Sequence, residues 1–215
     1  MTVASTALMN RIYRRQRHIY DATRKYFLLG RDLLIARLAP EGAACVLEIG
    51  CGTGRNLILA AQRYPDARFF GIDVSTEMLT SAIEAIARAG LSSRIHVAHA
   101  DATAFDPGRL FGKAQFDRVF ISYSLSMIPA WRAVLDSAIA RLAPGGELHI
   151  VDFGGQEGLP RWFRSALRRW LALFHVTPRD DFEQTLASTH RLGATFVIER
   201  PYRDYAQYAR ISMPV

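Results

Sequence analysis

The chain has 215 residues, 27 Lys plus Arg against 20 Asp plus Glu, 50 % hydrophobic residues and two cysteines. That balance fits one domain with a substantial core and excludes a disordered or fibrous chain. No apolar run approaches the roughly 20 residues needed to span a bilayer, and the net charge of +7 leaves nucleic acid and an anionic membrane open as partners.

The charge is unevenly spread. Residues 1–38 hold eight basic side chains against Asp21 and Asp32, and residues 156–175 hold Arg161, Arg164, Arg168 and Arg169 against Glu157. The rest of the chain is slightly acidic. Met1 to Asn10 lack a basic start followed by a long apolar stretch, so a cytoplasmic protein is expected.

In chain order, Ala44 to Gly50 is a short apolar run ending in glycine and reads as a buried strand, with helical spacing following over Arg55 to Arg63. Arg68 to Asp73 is a second strand, and Ser75 is a good cap for a helix running to Ala89. Ile95 to Ala98 and Phe116 to Ser122 are the third and fourth strands, and a helix is expected from Pro129 to Leu142. Pro144-Gly145-Gly146 marks a tight turn into a fifth strand, Glu147 to Phe153. Thr195 to Glu199 and Tyr205 to Ile211 lack helical material between them and predict an antiparallel hairpin at the sheet edge. The alternation predicts one α/β domain, a Rossmann-like doubly wound sheet of seven mostly parallel strands. Its parts are a basic helical lid over 1–38, a core over 44–153, a helical insertion over 156–190 and the hairpin over 194–213.

The densest motif is Glu48-Ile49-Gly50-Cys51-Gly52-Thr53-Gly54, directly after a strand and opening a helix. Glycines there let backbone approach a ligand closely. Asp73 ends the next strand, 19 residues beyond Gly54, where a carboxylate can accept from ribose hydroxyls. The register fails the nicotinamide fingerprint, because Arg55 stands where the third glycine belongs, and no Lys-Ser/Thr pair follows to make a P-loop. Cys45 and Cys51 form neither a disulfide framework nor a zinc site and read as small buried residues, so no metal is expected.

This pattern resembles the class I S-adenosylmethionine-dependent methyltransferases, whose first motif is acidic-x-Gly-x-Gly-x-Gly. The resemblance covers Ala44 to Phe153. It implies that the loop with Glu48, Gly50, Cys51 and Gly52 holds the methionine moiety and that Asp73 takes the ribose. Val74 would neighbour the adenine, Asp101-Ala102 would contact its amine and ring, and Met78 and Ser122 join the cofactor set. The product would be S-adenosylhomocysteine.

Residues 122–129 follow the fourth strand, where the acceptor side of such enzymes lies. They contain neither the Asn/Asp-Pro-Pro-Tyr tetrapeptide of base-amine methyltransferases nor a nucleophilic Cys, so nucleic acid is not the expected partner. Tyr123 is a candidate to face the acceptor. From the basic segment, Tyr20 and Tyr26 are candidates to close the methyl pocket, where aromatic faces suit a cationic amine. Arg31 is a candidate to meet the cofactor's carboxylate.

Leu159 to Phe174 carries a two-faced helical pattern. At about 100° per residue, Trp162, Phe163, Ala166, Leu167, Trp170, Leu171, Leu173 and Phe174 share one half-turn. Arg161, Arg164, Ser165, Arg168 and Arg169 share the other, with Ala172 intruding. Such a helix suits either a membrane interface or a lid packed on the domain.

Taken whole, the chain resembles the bacterial betaine-lipid N-methyltransferases through Tyr13 to Asp32, Val46 to Ala60, Tyr123 to Pro129 and Leu159 to Pro178. The resemblance implies that the substrate is diacylglyceryl-homoserine, methylated three times to diacylglyceryl-trimethylhomoserine. It also implies an anionic membrane surface as a partner, on the inner face of the membrane, and a functional partner that makes diacylglyceryl-homoserine. The acceptor amine must be neutral to attack, and Tyr20 or His175 is placed to orient it. Quinone-biosynthesis C-methyltransferases, echoed by Tyr20-Asp21 and Leu28 to Arg31, and phosphatidylethanolamine N-methyltransferases are alternatives. A cofactor-binding, nucleic-acid-associated protein is the non-enzymatic one.

Overall fold

The computed structural model describes residues 28–187 and 193–215. Seven strands, β1 (Cys45–Ile49), β2 (Arg68–Asp73), β3 (Ile95–His99), β4 (Phe116–Ser122), β5 (Leu142–Phe153), β6 (Thr195–Glu199) and β7 (Ala206–Ser212), form one sheet. Their order is β3-β2-β1-β4-β5-β7-β6. β1 to β5 are parallel, while β7 pairs antiparallel with both β5 and β6. The hairpin is therefore as expected. Its connection runs through Pro201–Asp204, where Tyr202, Arg203 and Asp204 all take left-handed backbone.

Both faces of the sheet are covered. Val46, Phe69, Phe120 and Val151 face one apolar cluster, together with α1 (Arg31–Leu38), α2 (Arg55–Arg63) and α3 (Thr76–Arg88). Leu47, Ile49, Val119 and Ile121 face the other, against α5 (Trp131–Ile139) and α7 (Phe182–Ala187), which follow α4 (Pro107–Phe111) and α6 (Arg161–Leu173) in the chain. Alternate residues of β1 thus enter opposite cores, and every position of that strand is apolar or buried because neither face meets water. Strand order reverses direction between β1 and β4, which opens a crevice at the carboxyl ends of the strands.

Several expectations change. The Pro144-Gly145-Gly146 segment is a bulge inside β5 rather than a turn before it, with pairing jumping from Phe116–Leu142 to Arg118–Glu147. Gly145 N and Gly146 O bond the terminal segment at Pro214 and Met213, which keeps the bulge in the sheet. α5 begins only at Trp131, because the chain first makes a short 3-10 turn over Leu125–Met127. α4 was not expected, although its signal is in the sequence: Asp106 caps it by accepting from Arg109 N, and Pro107 occupies the first turn.

α6 packs by one edge of its apolar face only. Leu167 and Leu171 are buried, whereas Trp162 is 73 % exposed and Leu173 74 % exposed. Arg168, expected on the solvent side, turns inward: its Nε donates to Gln156 Oε1 at 3.1 Å, and a guanidinium nitrogen meets Asp180 at 2.7 Å. Among the described residues no helix is long and apolar enough to cross a membrane. Of the lid expected over 1–38, residues 1–27, with Tyr20 and Tyr26, lie outside the described residues.

Candidate functional site

The crevice is built first from backbone. After β1 the chain turns back through Gly50, Gly52 and Gly54, all with positive φ, of 75°, 53° and 75°. Gly50 N and Cys51 N both donate to Ile72 O, at 2.8 and 3.0 Å, locking the loop to the end of β2. A Cβ on Gly50 would stand 2.7 Å from Ser124 Cβ, so that position admits glycine alone on two counts. Asp73 closes the loop from the other side: one carboxylate oxygen accepts from Gly52 N at 2.8 Å and the other from Ser75 N at 2.9 Å. Ser75 Oγ in turn accepts from Met78 N and starts α3, as expected. At the end of β3, Asp101 accepts from both the amide and the hydroxyl of Thr103, at 2.9 and 2.7 Å, which fixes its carboxylate.

Above these groups lies a cavity of about 940 Å³. That is the upper end of the usual range for ligand sites, about 300–1,000 Å³. Arg31, Gly50, Cys51, Gly52, Asp73 and Val74 line it, as do Met78, Asp101, Ala102, Ser122 and His175. Eleven residues named from the sequence are therefore brought together around one space. Burial, with the charges of Asp73 and Glu48 nearby, pushes the Cys51 thiol well above its ordinary pKa, so it serves as a neutral part of the wall.

Two of the named residues stand elsewhere. Glu48 is buried beneath the loop, off the cavity wall, where its Oε1 accepts from Asn56 Nδ2 at 2.8 Å. It anchors the first turn of α2, and Asn56 takes the position on the wall. Tyr123 does not face an acceptor. It sits in left-handed backbone at φ 56°, its ring is buried against Phe153 at 4.7 Å between centroids, and its hydroxyl donates to Leu29 O. The reversal at φ 56° aims the ring away from the crevice, and burial raises its pKa well above the ordinary value. Tyr123 ties the start of α1 to the sheet.

The remaining wall comes largely from segments that the sequence marked only as stretches, not residue by residue. Met127, Ile128 and Pro129 follow β4, and Ala172, His175 and Thr177 come from the end of α6 and just beyond it. Leu28 beside α1, with Ile58 and Leu59 of α2, adds further apolar surface. The position after β4 was a usable signal for the first group, and the insertion at the carboxyl ends of the strands for the second. Leu28, Ile58 and Thr177 lay inside the segments that carried the resemblance, but no role was assigned to any of them. Among the described residues no three His, Cys, Asp or Glu side chains gather as a metal site would require.

Comparison with known proteins agrees with the geometry. Residues 46–146 match the family described as methyltransferase domain. Trans-aconitate 2-methyltransferase of Azoarcus sp. (strain BH72) is 35 % identical over 120 residues, covering 56 % of this chain and 43 % of that protein. The chain thus spans less than half the length of that relative. Among solved structures, the S-adenosylmethionine-dependent methyltransferase SibL superposes with a TM-score of 0.74 at 21 % identity, over 92 % of this chain and 58 % of its own. Phosphoethanolamine N-methyltransferase 2 of Haemonchus contortus gives a TM-score of 0.67 at 17 % identity, over 86 % and 52 %. These superpositions show a shared fold.

Proposed function

We propose that the protein is an S-adenosylmethionine-dependent methyltransferase, as its match to the methyltransferase domain over residues 46–146 supports, and that it methylates the amine of a lipid headgroup. The acceptor is diacylglyceryl-homoserine, taken in three rounds to diacylglyceryl-trimethylhomoserine. The residues present fit the cofactor. Gly50 packs so closely on Ser124 of the cavity wall that a Cβ there would collide with it, and Asp73 at the end of β2 and Asp101 just beyond β3 line the cavity at separate points. In this reading Asp73 accepts from the ribose hydroxyls, Val74, Asp101 and Ala102 hold the adenine, and Arg31 meets the amino-acid carboxylate.

S-adenosylmethionine, when bound, supplies a methyl group on a sulfonium already activated toward a lone pair. The chain's own residues then have three tasks. The apolar wall of Leu28, Ile58, Leu59, Met127 and Ile128 excludes water and keeps the acceptor amine neutral. His175 orients that amine. The acceptor amine would lose its proton to solvent before each round, and His175 would keep its lone pair turned toward the sulfonium methyl group.

The observation that carries the lipid is α6. Ala172 lines the cavity, while Leu173 beside it and Trp162 at the far end of the helix are mostly exposed. Arg161 and Arg169 are exposed on the same helix. A helix that joins a cavity wall to an exposed Trp/Leu flank with basic neighbours suits an anionic membrane surface. The acceptor lipid would reach the cavity from there, supplied by an enzyme that makes diacylglyceryl-homoserine.

A second reading, a small carboxylate acceptor, is supported by the similarity to trans-aconitate 2-methyltransferases. Purified protein given methyl-labelled cofactor should label diacylglyceryl-homoserine in anionic vesicles. Label in trans-aconitate and none in the lipid would replace the first reading with the second.

A further inference from the structure

The loop after β4 forms one wall of the cavity through Ser124, Met127, Ile128 and Pro129, yet its own fold is a single 3-10 turn over Leu125–Met127. A turn of three residues does not hold its shape unaided. Its polar backbone atoms are taken up from outside. Arg179 Nε and Nη2 donate to Leu125 O at 3.2 and 3.1 Å, and Nη2 also donates to Ile128 O at 2.8 Å. The same guanidinium lies over the Trp131 ring, 5.7 Å from its centroid, where α5 begins. From the opposite side Asp152 Oδ2 accepts from Ser126 N at 3.0 Å, while its Oδ1 accepts from Phe153 N at 2.8 Å. Thr177 N donates to Ser126 O at 2.9 Å.

Neither Arg179 nor Asp152 lines the cavity. Burial opposes both charges, raising the Asp152 carboxyl and lowering the Arg179 guanidinium from their ordinary pKa values. A buried carboxylate at the end of β5 and a half-buried guanidinium carry a desolvation cost that ordinary packing would avoid. The loop's amide and carbonyls compensate it.

We propose that Arg179 and Asp152 are positioning residues that clamp the 125–128 loop from both sides and so set the acceptor wall of the cavity without touching the acceptor. Arg179 is suited to this because its planar fork reaches two carbonyls at once, which a lysine ammonium on a single stem does not reproduce. The clamp also couples the wall to the end of α6, since Thr177 and Arg179 follow that helix directly. The kinetic consequence rests on the proposed methyl transfer; the clamp itself does not.

The test uses the full chain with Arg179→Ala, Arg179→Lys and Asp152→Asn. Losing hydrogen bonds to a charged group, at about 1.5–3 kcal/mol, should lower kcat/KM for the acceptor by about tenfold or more in Arg179→Ala. Cofactor affinity by calorimetry should stay within about twofold, because the glycine-loop amides bond the end of β2, and Ser124, whose Oγ donates to Ile49 O at 3.2 Å, precedes the clamped residues. Arg179→Lys should fall between Arg179→Ala and the parent, and it serves where the alanine variant does not fold. Hydrogen exchange of the amides from Ser126 to Trp131 should accelerate in Arg179→Ala and in Asp152→Asn. Unchanged exchange there, or cofactor affinity falling in step with acceptor kinetics, would overturn the clamp. Where no acceptor is methylated by the parent protein, the functional reading fails, and the exchange result still decides this one.

Discussion

The two ends of the cavity are built by different means. At the cofactor end, backbone bonds backbone or a nearby carboxylate: Gly50 and Cys51 to Ile72, Gly52 and Ser75 to Asp73. Partners come from the ends of two adjacent parallel strands, and the geometry follows from the strand pairing itself. At the acceptor end, long side chains reach across the fold. Arg179 holds Leu125 and Ile128, Asp152 holds Ser126, and Tyr123 holds Leu29. An end fixed by backbone keeps its shape through side-chain changes, whereas an end fixed by side chains is reshaped by single substitutions. In the proposed reading, the second end would set acceptor choice.

Asp73→Ala gives the largest effect and the sharpest test of that contrast. It leaves the amides of Gly52 and Ser75 without their acceptor and removes the carboxylate offered to the ribose. Charged hydrogen bonds of about 1.5–3 kcal/mol each predict a loss in cofactor affinity of roughly 100-fold or more. Calorimetry with S-adenosylhomocysteine measures it. An affinity within a few-fold of the parent would mean that the cofactor end is not where the strand ends meet.

At the acceptor end the corresponding change is Trp162→Ser with Leu173→Ser. Both side chains are mostly exposed, so thermal stability should barely move. Burying such side chains in an interface contributes about 1.5–3 kcal/mol each when complete, so partitioning onto anionic vesicles should fall by about tenfold or more. Sedimentation with vesicles measures it. Unchanged partitioning removes α6 as the membrane contact, and a large drop in melting temperature would show that the flank is packed after all.

The contrast also explains what the sequence disclosed. Glycines, the two acidic strand ends and the Ser75 cap are local patterns, since their partners lie within about one βα unit. The mostly parallel sheet and the terminal hairpin followed from the alternation of strand and helix patterns and from the short spacing between the last two strand patterns, whereas the order of the strands came from the structure. The acceptor end had no such local grammar. A helical wheel treats α6 as one apolar half-turn, but the edge that packs was decided by Gln156 and Asp180, whose side chains draw Arg168 inward. Tyr123 looked like an acceptor residue by position, and only its left-handed backbone sends the ring the other way. Glu48 matched its motif yet acts through Asn56.

β5 also carries a buried polar network at its middle, and that network sets the smallest effect. His149 is fully buried, with Nδ1 2.9 Å from Tyr208 OH and Nε2 3.2 Å from Glu147 Oε2. Burial outweighs the carboxylate and holds the imidazole below its ordinary 6.5. As pH falls through 6.5, the unfolded chain takes up the proton before the folded one, so stability declines from there downward. Glu147 is held down to about 2, first by His149 and then by Arg118 and Arg210, against an ordinary 4.5. Its contribution is full above 4.5 and is lost between there and 2, in the same direction. The melting temperature should therefore drop between pH 7 and 5 by about 2–4 °C for each kcal/mol lost at this chain length. His149→Gln removes the titrating group and should flatten that slope, while cofactor affinity at pH 7 stays within about twofold because His149, Glu147 and Tyr208 do not line the cavity. Equal slopes in parent and variant would assign the acid sensitivity to other groups. A parallel loss of cofactor affinity would show that the network and the cavity are not independent.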